Sequence, residues 1–133
     1  MLTSRYLLDI FDLAFDEHPA GSLLRQQVTH LTLLRTEHTG MGAFFYMEAD
    51  RPIPHLAIPG DTAGTSTEML DEVEICSIEL SLLADATIHL QDGLIHHVEI
   101  WNKGGADYPH TDPERYELHQ TWRGTHAGRT ISR

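Results

Sequence analysis

Apolar residues in the first part of the chain recur with the period of a helix, whereas those in the rest recur with the two-residue period of strands. Over residues 3–16 the spacing predicts an amphipathic helix with Thr3 or Ser4 as its N-cap. The polar stripe of this helix consists of Arg5, Asp9, Asp12 and Asp16. We expect the carboxylates to face water, with an ion pair between Arg5 and Asp9. A cation site is the alternative, but a hard cation needs more oxygen ligands than this stripe offers.

A short second helix is expected after Pro19, Ala20 and Gly21, which end the first one. Ser22 is placed to cap this second helix, which should extend through Gln27.

Four strands are predicted between the helices and residue 81. Residues 28–37 and 41–49 are rich in β-branched, aliphatic and aromatic side chains, with a turn at 38–40. Aromatic residues on both sides of the second strand indicate a central or covered position. Prolines restrict residues 55–58 to a short strand. Residues 71–80 predict the fourth strand, in which the apolar positions change face, and this indicates a bulge or burial on both sides.

Two further β-rich runs meet at Asp92-Gly93, and their apolar side chains must share one face. A two-residue loop would pair Leu90 with Ile95, and this register would place Val98 and Ile100 on the wrong face. A three-residue loop at 91–93, with Gly93 at a left-handed bulge position, pairs Leu90 with Leu94 instead. We therefore predict the three-residue loop.

In this register each face of the hairpin has a distinct character. The core face then holds Ile88, Leu90, Leu94, Val98 and Ile100, together with His96 as a buried histidine. The mixed face then holds Thr87, His89, Ile95, His97, Glu99 and Trp101.

The last part of the chain gives weaker signals. Asp112, Pro113 and Glu114 have the N-cap, proline and first-turn acid of a helix start, so one helical turn is expected there. An extended segment should follow to about Trp122, because apolar residues alternate. Residues 124–133 are expected to form a flexible tail.

Together these elements predict one α+β domain over residues 1–123. In it, an N-terminal amphipathic helix and a short second helix pack on a mostly antiparallel sheet of about five to six strands.

Composition narrows the choice of partners. Of the 133 residues, 41% are hydrophobic and 22% are charged, which is typical of a globular domain. The 20 acidic and 9 basic residues give a formal net charge of -11. This charge repels phosphate backbones and anionic membranes, so we expect neither nucleic acid nor a membrane as a ligand. This negative charge would attract a basic protein. The alternative explanation is that an acidic surface keeps the protein soluble.

The single Cys76 cannot form an internal disulfide and is expected to be a small buried thiol. Asp9 and Asp12 interrupt the N-terminal apolar stretch, so we expect this stretch to be neither a secretory signal nor a membrane span. A cytoplasmic protein without a cofactor is expected.

Two segments carry a resemblance to known proteins: R-T-E-H-T-G-M-G-A-F-F at residues 35–45 and D-G-L-I-H-H-V-E-I-W at residues 92–101. Over residues 27–118 the chain resembles a group of small uncharacterised bacterial proteins. These have an R-x-x-T-G-x-G-F-F-like hairpin followed by a D-G-x-L-x-x-L-E-x-aromatic hairpin. The chain departs from that pattern in the spacing after its arginine, in the inserted Ala43 and in the His-Val pair before Glu99. The resemblance implies a mostly antiparallel sheet with helices at the N-terminal end, and no activity comes with it.

The chain has ten histidines, so a metal site has to be considered. His89, His97 and Glu99 share the mixed face of the predicted hairpin, with His89 diagonally across from His97 and Trp101 beyond them. Two imidazoles and a carboxylate can bind zinc. Diagonal neighbours are, however, about 7 Å apart at Cα, and no helical histidine pair supports a site. We expect no metal and interpret the face as a polar or partner-facing surface.

The leading hypothesis is a non-catalytic protein-binding or regulatory module, such as an immunity-type protein that neutralises a basic partner. Its candidate contact residues are His89, His97, Glu99 and Trp101. No nucleophile motif is present, which favours a protein that is not an enzyme.

The alternative is a small-molecule-binding protein or small hydrolase. Its site would lie near His89, His97, Glu99 and the 104–114 loop, where polar side chains crowd together. An enclosed pocket there favours this alternative, and a flat face favours the protein partner. A homodimer through the sheet is a third expectation.

Overall fold

The computed structural model describes residues 1–16, 18–53, 67–121 and 128–133. Its elements are α1 (Arg5–Ala14), α2 (Gly21–Val28), β1 (Leu31–His38), β2 (Gly42–Ala49), β3 (Thr67–Ser77), β4 (Leu82–Gln91), β5 (Leu94–Asn102), β6 (Glu117–Gln120) and β7 (Thr130–Ser132). The predicted α+β class with two N-terminal helices is confirmed. The strand count is higher than predicted.

Within the described residues, seven strands form one sheet in the order β1-β2-β5-β4-β3-β6-β7, and each of their pairings is antiparallel. Strand β6 lies within the extended segment that was predicted to about Trp122, and it pairs with β3. Strand β7 was not predicted, and it pairs with β6. The predicted flexible tail is therefore wrong for residues 130–132, because pairing of Leu118 with Ile131 incorporates them into the sheet.

Helix α1 begins as predicted, because the Ser4 hydroxyl accepts a hydrogen bond from the Leu7 amide at 3.1 Å. Its buried residues are all apolar except for Tyr6 and Asp9, and Asp9 is only 7% exposed. The expectation that Asp9 faces water and pairs with Arg5 is wrong. The carboxylate instead accepts hydrogen bonds from Tyr116 and Arg133, which the fold brings beneath the helix.

Helix α2 begins at Gly21, two residues earlier than a cap at Ser22 implies, and no side chain caps it. Ser22 is thus inside the helix and is not its cap. At the other end Gln27 is completely buried and joins the helix to the sheet. Its amide donates to the Gly93 carbonyl at 2.9 Å and accepts from the Ile95 amide at 3.0 Å.

Both helices cover the same side of the sheet, which we call the inner face. Helix α1 packs against β3, β6 and β7, and α2 packs against β5. The largest completely buried side chains are Tyr6, Phe11, Phe15, Leu7, Ile10, Leu13, Leu24, Leu31, Ile75, Ile88, Leu90 and Ile100. The hydrophobic core therefore lies between the helices and the inner face.

The β4–β5 hairpin corrects the predicted loop. Gln91 pairs with Leu94 and Leu90 pairs with Ile95, so the loop has two residues, Asp92 and Gly93, both with positive φ (54° and 76°). These angles suit the tight turn that matches strand twist.

A bulge explains how the two-residue loop is compatible with one apolar face. The register shifts between Leu90 and His89, so that His89 pairs with His97, and Ile88 pairs with Val98. The extra residue is His96, which is exposed instead of buried in the core as predicted. Ile95 takes the core position that was assigned to Leu94.

Three further predictions concern the loops and the fourth strand. No helical turn begins at Asp112, whose carboxylate accepts a hydrogen bond from Ser4 at 2.5 Å. The bulge predicted in the fourth strand is present between Leu70 and Val73. The short strand predicted at residues 55–58 lies outside the described residues.

None of the helices in the described parts of the chain has the length and apolar character needed to cross a membrane.

Candidate functional site

The side of the sheet opposite the helices, which we call the outer face, carries the candidate residues. Side chains alternate along each strand, so residues next to buried core positions point outward. On β4 and β5, His89, His97, Glu99 and Trp101 alternate with the buried Ile88, Val98 and Ile100. The four predicted site residues therefore share the outer face.

A row of side chains crosses five strands at the level of His97. Its members, in sheet order, are Arg35, Tyr46, His97, His89 and Met69, and each is the direct cross-strand partner of the next. We call this set the cross-strand row.

Ring contacts run through most of the cross-strand row. The Arg35 guanidinium lies 4.0 Å from the centre of the Tyr46 ring, which is the geometry of a cation–π contact. The ring centres of Tyr46 and His97 are 5.3 Å apart. His97 and His89 stack with their centres 4.1 Å apart and their planes within 11°. The row ends at Met69, which is 65% exposed.

The bulge at His96 produces a second histidine contact. Consecutive strand residues normally point to opposite faces, but here the Nδ1 atoms of His96 and His97 are 2.6 Å apart, so one ring donates a hydrogen bond to the other. Partial burial, followed by the nearby His89 and His96, lowers the pKa of His97 to about 4, although Glu99 acts in the opposite direction. His97 is therefore neutral at neutral pH.

Glu99 and Trp101 continue the surface along β5. The Glu99 carboxylate lies 3.0 Å from the Nε2 of His89, its diagonal neighbour across the strands. Trp101 is 48% exposed and lies between Asp85 on β4 and Gly42 on β2. Because Gly42 has no side chain, the indole has no cross-strand cover on that side.

Carboxylates outnumber basic groups among the described side chains of the outer face. The acidic residues are Glu37, Glu48, Glu74, Asp85, Glu99 and Glu117, and the basic residues are Arg35 and Lys103. The Lys103 ammonium lies 2.9 Å from both Glu74 and Asp85, and these hydrogen bonds raise its pKa. The outer face is thus a mixed aromatic and acidic surface.

The stacked rings of His89 and His97 are not arranged to share a metal ion. Within the described ranges, no group of three His, Cys, Asp or Glu side chains is arranged to hold a metal ion. The physical reason at His89 and His97 is that their rings are stacked. The ligating lone pairs lie in the ring planes, and two parallel planes do not converge on one ion. The prediction that His89 lies diagonally from His97 is wrong, since they are direct partners.

The 104–114 loop lies on the inner face, away from the cross-strand row. Tyr108 is buried there, and its hydroxyl hydrogen-bonds that of Tyr6 at 2.9 Å. His110 stacks on His38 with ring centres 4.2 Å apart, beside a cavity of about 110 Å³. The hydrolase alternative required this loop and His89, His97 and Glu99 in one site, and the sheet separates the two groups.

Sequence reasoning did not include Arg35, Tyr46 or Met69 among the candidates. Alternation within β2 placed Tyr46 on the face away from Phe45, but no local pattern indicates the register between β2 and β5. The direct pairing of His89 with His97 depends on the bulge at His96, which no local turn signal marks.

Comparison of the chain with protein-family models, with curated proteins and with solved structures found no significant match. The resemblance to small bacterial proteins accordingly stays a prediction.

Proposed function

We propose that this chain is a non-catalytic protein-binding module, of the immunity or regulatory type, whose outer face binds a basic protein. The observation that carries the proposal is that the described helices leave this face open, and that it combines stacked rings with an excess of carboxylates.

The residue types of the face support a protein partner. Aromatic residues, Met and Arg are enriched in protein interfaces, and Trp, Tyr and Arg supply most hot spots. Trp101 offers a half-exposed indole, while Tyr46 and Arg35 are held in place by stacking. Side chains that are already ordered lose less entropy when a partner binds, so this surface is prepared for contact.

The charge of the face favours a basic partner. Asp85, Glu74 and Glu99 lie on three neighbouring strands around Trp101. Opposite charges across an interface accelerate association and exclude partners of the wrong sign. Lysine or arginine side chains of a partner would meet carboxylates at the rim and the indole at the centre.

Affinity capture with matched variants tests the proposal. The purified chain is used as bait in a lysate of its own source, in parallel with Trp101→Ala and with the control Ile78→Ala. Ile78 is 93% exposed in the turn between β3 and β4, so the control removes an exposed apolar side chain elsewhere. We expect capture of a basic protein, a loss of about tenfold or more with Trp101→Ala, and no loss with the control.

Salt dependence gives the second readout. Glu99→Gln should weaken binding and flatten its salt dependence, whereas Glu79→Gln, in the same turn as Ile78, should leave both unchanged. Recovery of no protein at low or high salt, or equal capture by all variants, would contradict the proposal.

An immunity-type protein should bind a toxin, and this gives a more specific expectation. The captured protein should inhibit growth when produced alone, and co-production of this chain should restore growth, with Trp101→Ala failing to do so. A captured protein without toxicity would support a regulatory module instead.

A further inference from the structure

Strand β1 is one end of the sheet, and it has an exposed edge. In the part of the chain that the structure describes, β2 is its only partner. Leu33 and Leu34 on this strand are 42% and 57% exposed. Such an edge presents unpaired backbone groups that can accept another strand.

The hydrogen-bond pattern shows which backbone groups point away from β2. The Thr39 amide donates to the Gly42 carbonyl at 3.0 Å, so this pair is hydrogen-bonded. Hydrogen-bonded and non-bonded pairs alternate in an antiparallel ladder. Arg35 and Glu37 therefore direct their backbone groups toward β2, and Thr36 directs its amide and carbonyl to the open edge.

The side chains of the same segment divide between the two faces. Arg35 and Glu37 pair with Tyr46 and Phe44, so they lie on the outer face. Thr36 pairs with the buried Phe45 and lies on the inner face.

Charge distinguishes the symmetric ways in which two copies of this edge can pair. A two-fold axis at residue 35 would bring Arg35 against Arg35, and an axis at residue 37 would bring Glu37 against Glu37. Both contacts are repulsive. An axis at Thr36 instead pairs Arg35 of each copy with Glu37 of the other, and it keeps both faces of the sheet continuous.

We propose that β1 pairs antiparallel with β1 of a second copy around a two-fold axis at Thr36. The two Thr36 residues exchange backbone hydrogen bonds, and two Arg35–Glu37 pairs form across the axis. The dimer extends the sheet and leaves the outer face uncovered. The cross-strand row of each copy ends at Arg35, which lies next to Glu37 of the other copy. This inference does not depend on the proposed partner of the outer face.

The dimer should be weak. The bulge between Leu33 and Arg35 interrupts β1, so the regular paired segment is short. A contact of this length buries much less than the roughly 800 Å² per partner of a standard interface. We expect dimerisation at a protein concentration on the order of 100 µM.

Charge exchange provides the test. In Arg35→Glu, the new carboxylate at position 35 of each copy would face Glu37 of the other, and in Glu37→Arg, the new guanidinium at position 37 would face Arg35. Each variant therefore has two repulsive contacts across the axis. Sedimentation velocity should show about tenfold weaker self-association for each variant alone. An equimolar mixture of the two variants restores opposite charges at both positions, so a heterodimer should form as readily as the wild-type dimer.

Arg35 and Glu37 also form an ion pair at 3.3 Å within one chain. Mixing the variants cannot restore this pair inside either chain, so recovery of the dimer in the mixture would come from the contact between copies. Arg115→Glu, at a side chain that is 78% exposed, serves as the control and should leave self-association unchanged. Wild-type protein that stays monomeric up to about 1 mM, or a mixture that stays monomeric, would overturn the proposal. Neither result would affect the Trp101 capture experiment.

Discussion

The inner and outer faces of this sheet use polar groups in different ways. On the inner face, Asp9 is buried and fully engaged, with Tyr116 at 2.7 Å and Arg133 at 2.9 and 3.0 Å. On the outer face, His89 and Glu99 form a half-exposed pair at 3.0 Å. The contacts of Asp9 connect elements that are distant in sequence, whereas the contact between His89 and Glu99 connects neighbouring strands.

This difference separates stability from binding. Removing a buried, fully bonded group leaves its partners without water or protein contacts, which is costly. Removing a half-exposed group lets water replace it at little cost. The inner face should therefore carry the free energy of unfolding, and the outer face should tolerate substitutions that would abolish recognition.

Adjacent residues on β4 provide the strongest test of this comparison. Ile88 is completely buried on the inner face, and His89 lies on the outer face. Ile88→Ala should lower the free energy of unfolding by about 3 kcal/mol, because it removes buried methyl groups and leaves a cavity. His89→Ala should change it by less than about 0.5 kcal/mol. Urea unfolding of the two variants measures both, and similar losses would show that the outer face is also structural.

Two aspartates on α1 provide a smaller and more specific test. Burial by itself raises the pKa of Asp9, but hydrogen bonds from Arg133 and Tyr116 outweigh it and hold the pKa below its usual range. Asp9→Asn should cost about 2 kcal/mol of stability, since the single oxygen of the new buried amide cannot accept the three hydrogen bonds that Tyr116 and Arg133 donate to the carboxylate.

Asp12→Asn is the matched control on the same helix. Asp12 pairs with Arg25 and Arg129, but its side chain is 41% exposed. Water can replace the lost charge, so the cost should stay below about 1 kcal/mol. Equal losses for the two aspartates in thermal or urea unfolding would contradict the distinction between buried and exposed pairs.

The parts of the fold that the sequence predicted are those with local signals. The Ser4 cap, the helical spacing after it and the glycine turn between β1 and β2 each depend on residues close in the chain. The hydrophobic pattern also indicated which strand residues would face the core.

The β4–β5 register was mispredicted because a tight turn and a β-bulge compensate for each other. A two-residue turn at Asp92-Gly93 and a bulge at His96 give almost the same set of buried residues as a longer loop without that bulge. Only Leu94, Ile95 and His96 distinguish the two solutions. Their positions depend on Gln27, whose amide holds the Gly93 carbonyl and the Ile95 amide from another element.

The same limitation applies to the candidate site. His97, Glu99 and Trp101 were identifiable from alternation within one strand. The cross-strand row required the order of five strands, and strand order is a property of the whole chain. Asp9 was misassigned for the same reason, since its partner Arg133 comes from the other end of the sequence.

The smallest predicted effect is the pH dependence of stability that arises from His97. His97 projects from the outer face, yet burial against its neighbours, together with His89 and His96, lowers its pKa from 6.5 to about 4. Between these values the unfolded chain binds a proton that the folded chain does not. The stability contributed by the neutral ring is therefore complete above about pH 6.5, decreases as the pH falls, and reaches its lower limit near pH 4.

Because His97 is partly exposed, solvent screening limits the loss to about 1 kcal/mol between neutral pH and pH 4. His97→Gln should remove this part of the pH dependence. The lowered pKa values of Asp9 and Asp12 reduce stability mainly below about pH 5, so these two carboxylates contribute little to the change between pH 6.5 and about pH 5. Urea unfolding across the range measures the change, and NMR titration of the His97 ring measures the pKa directly. A ring pKa of about 6.5 or higher would place His97 with the solvated groups of the outer face and remove its contribution to stability.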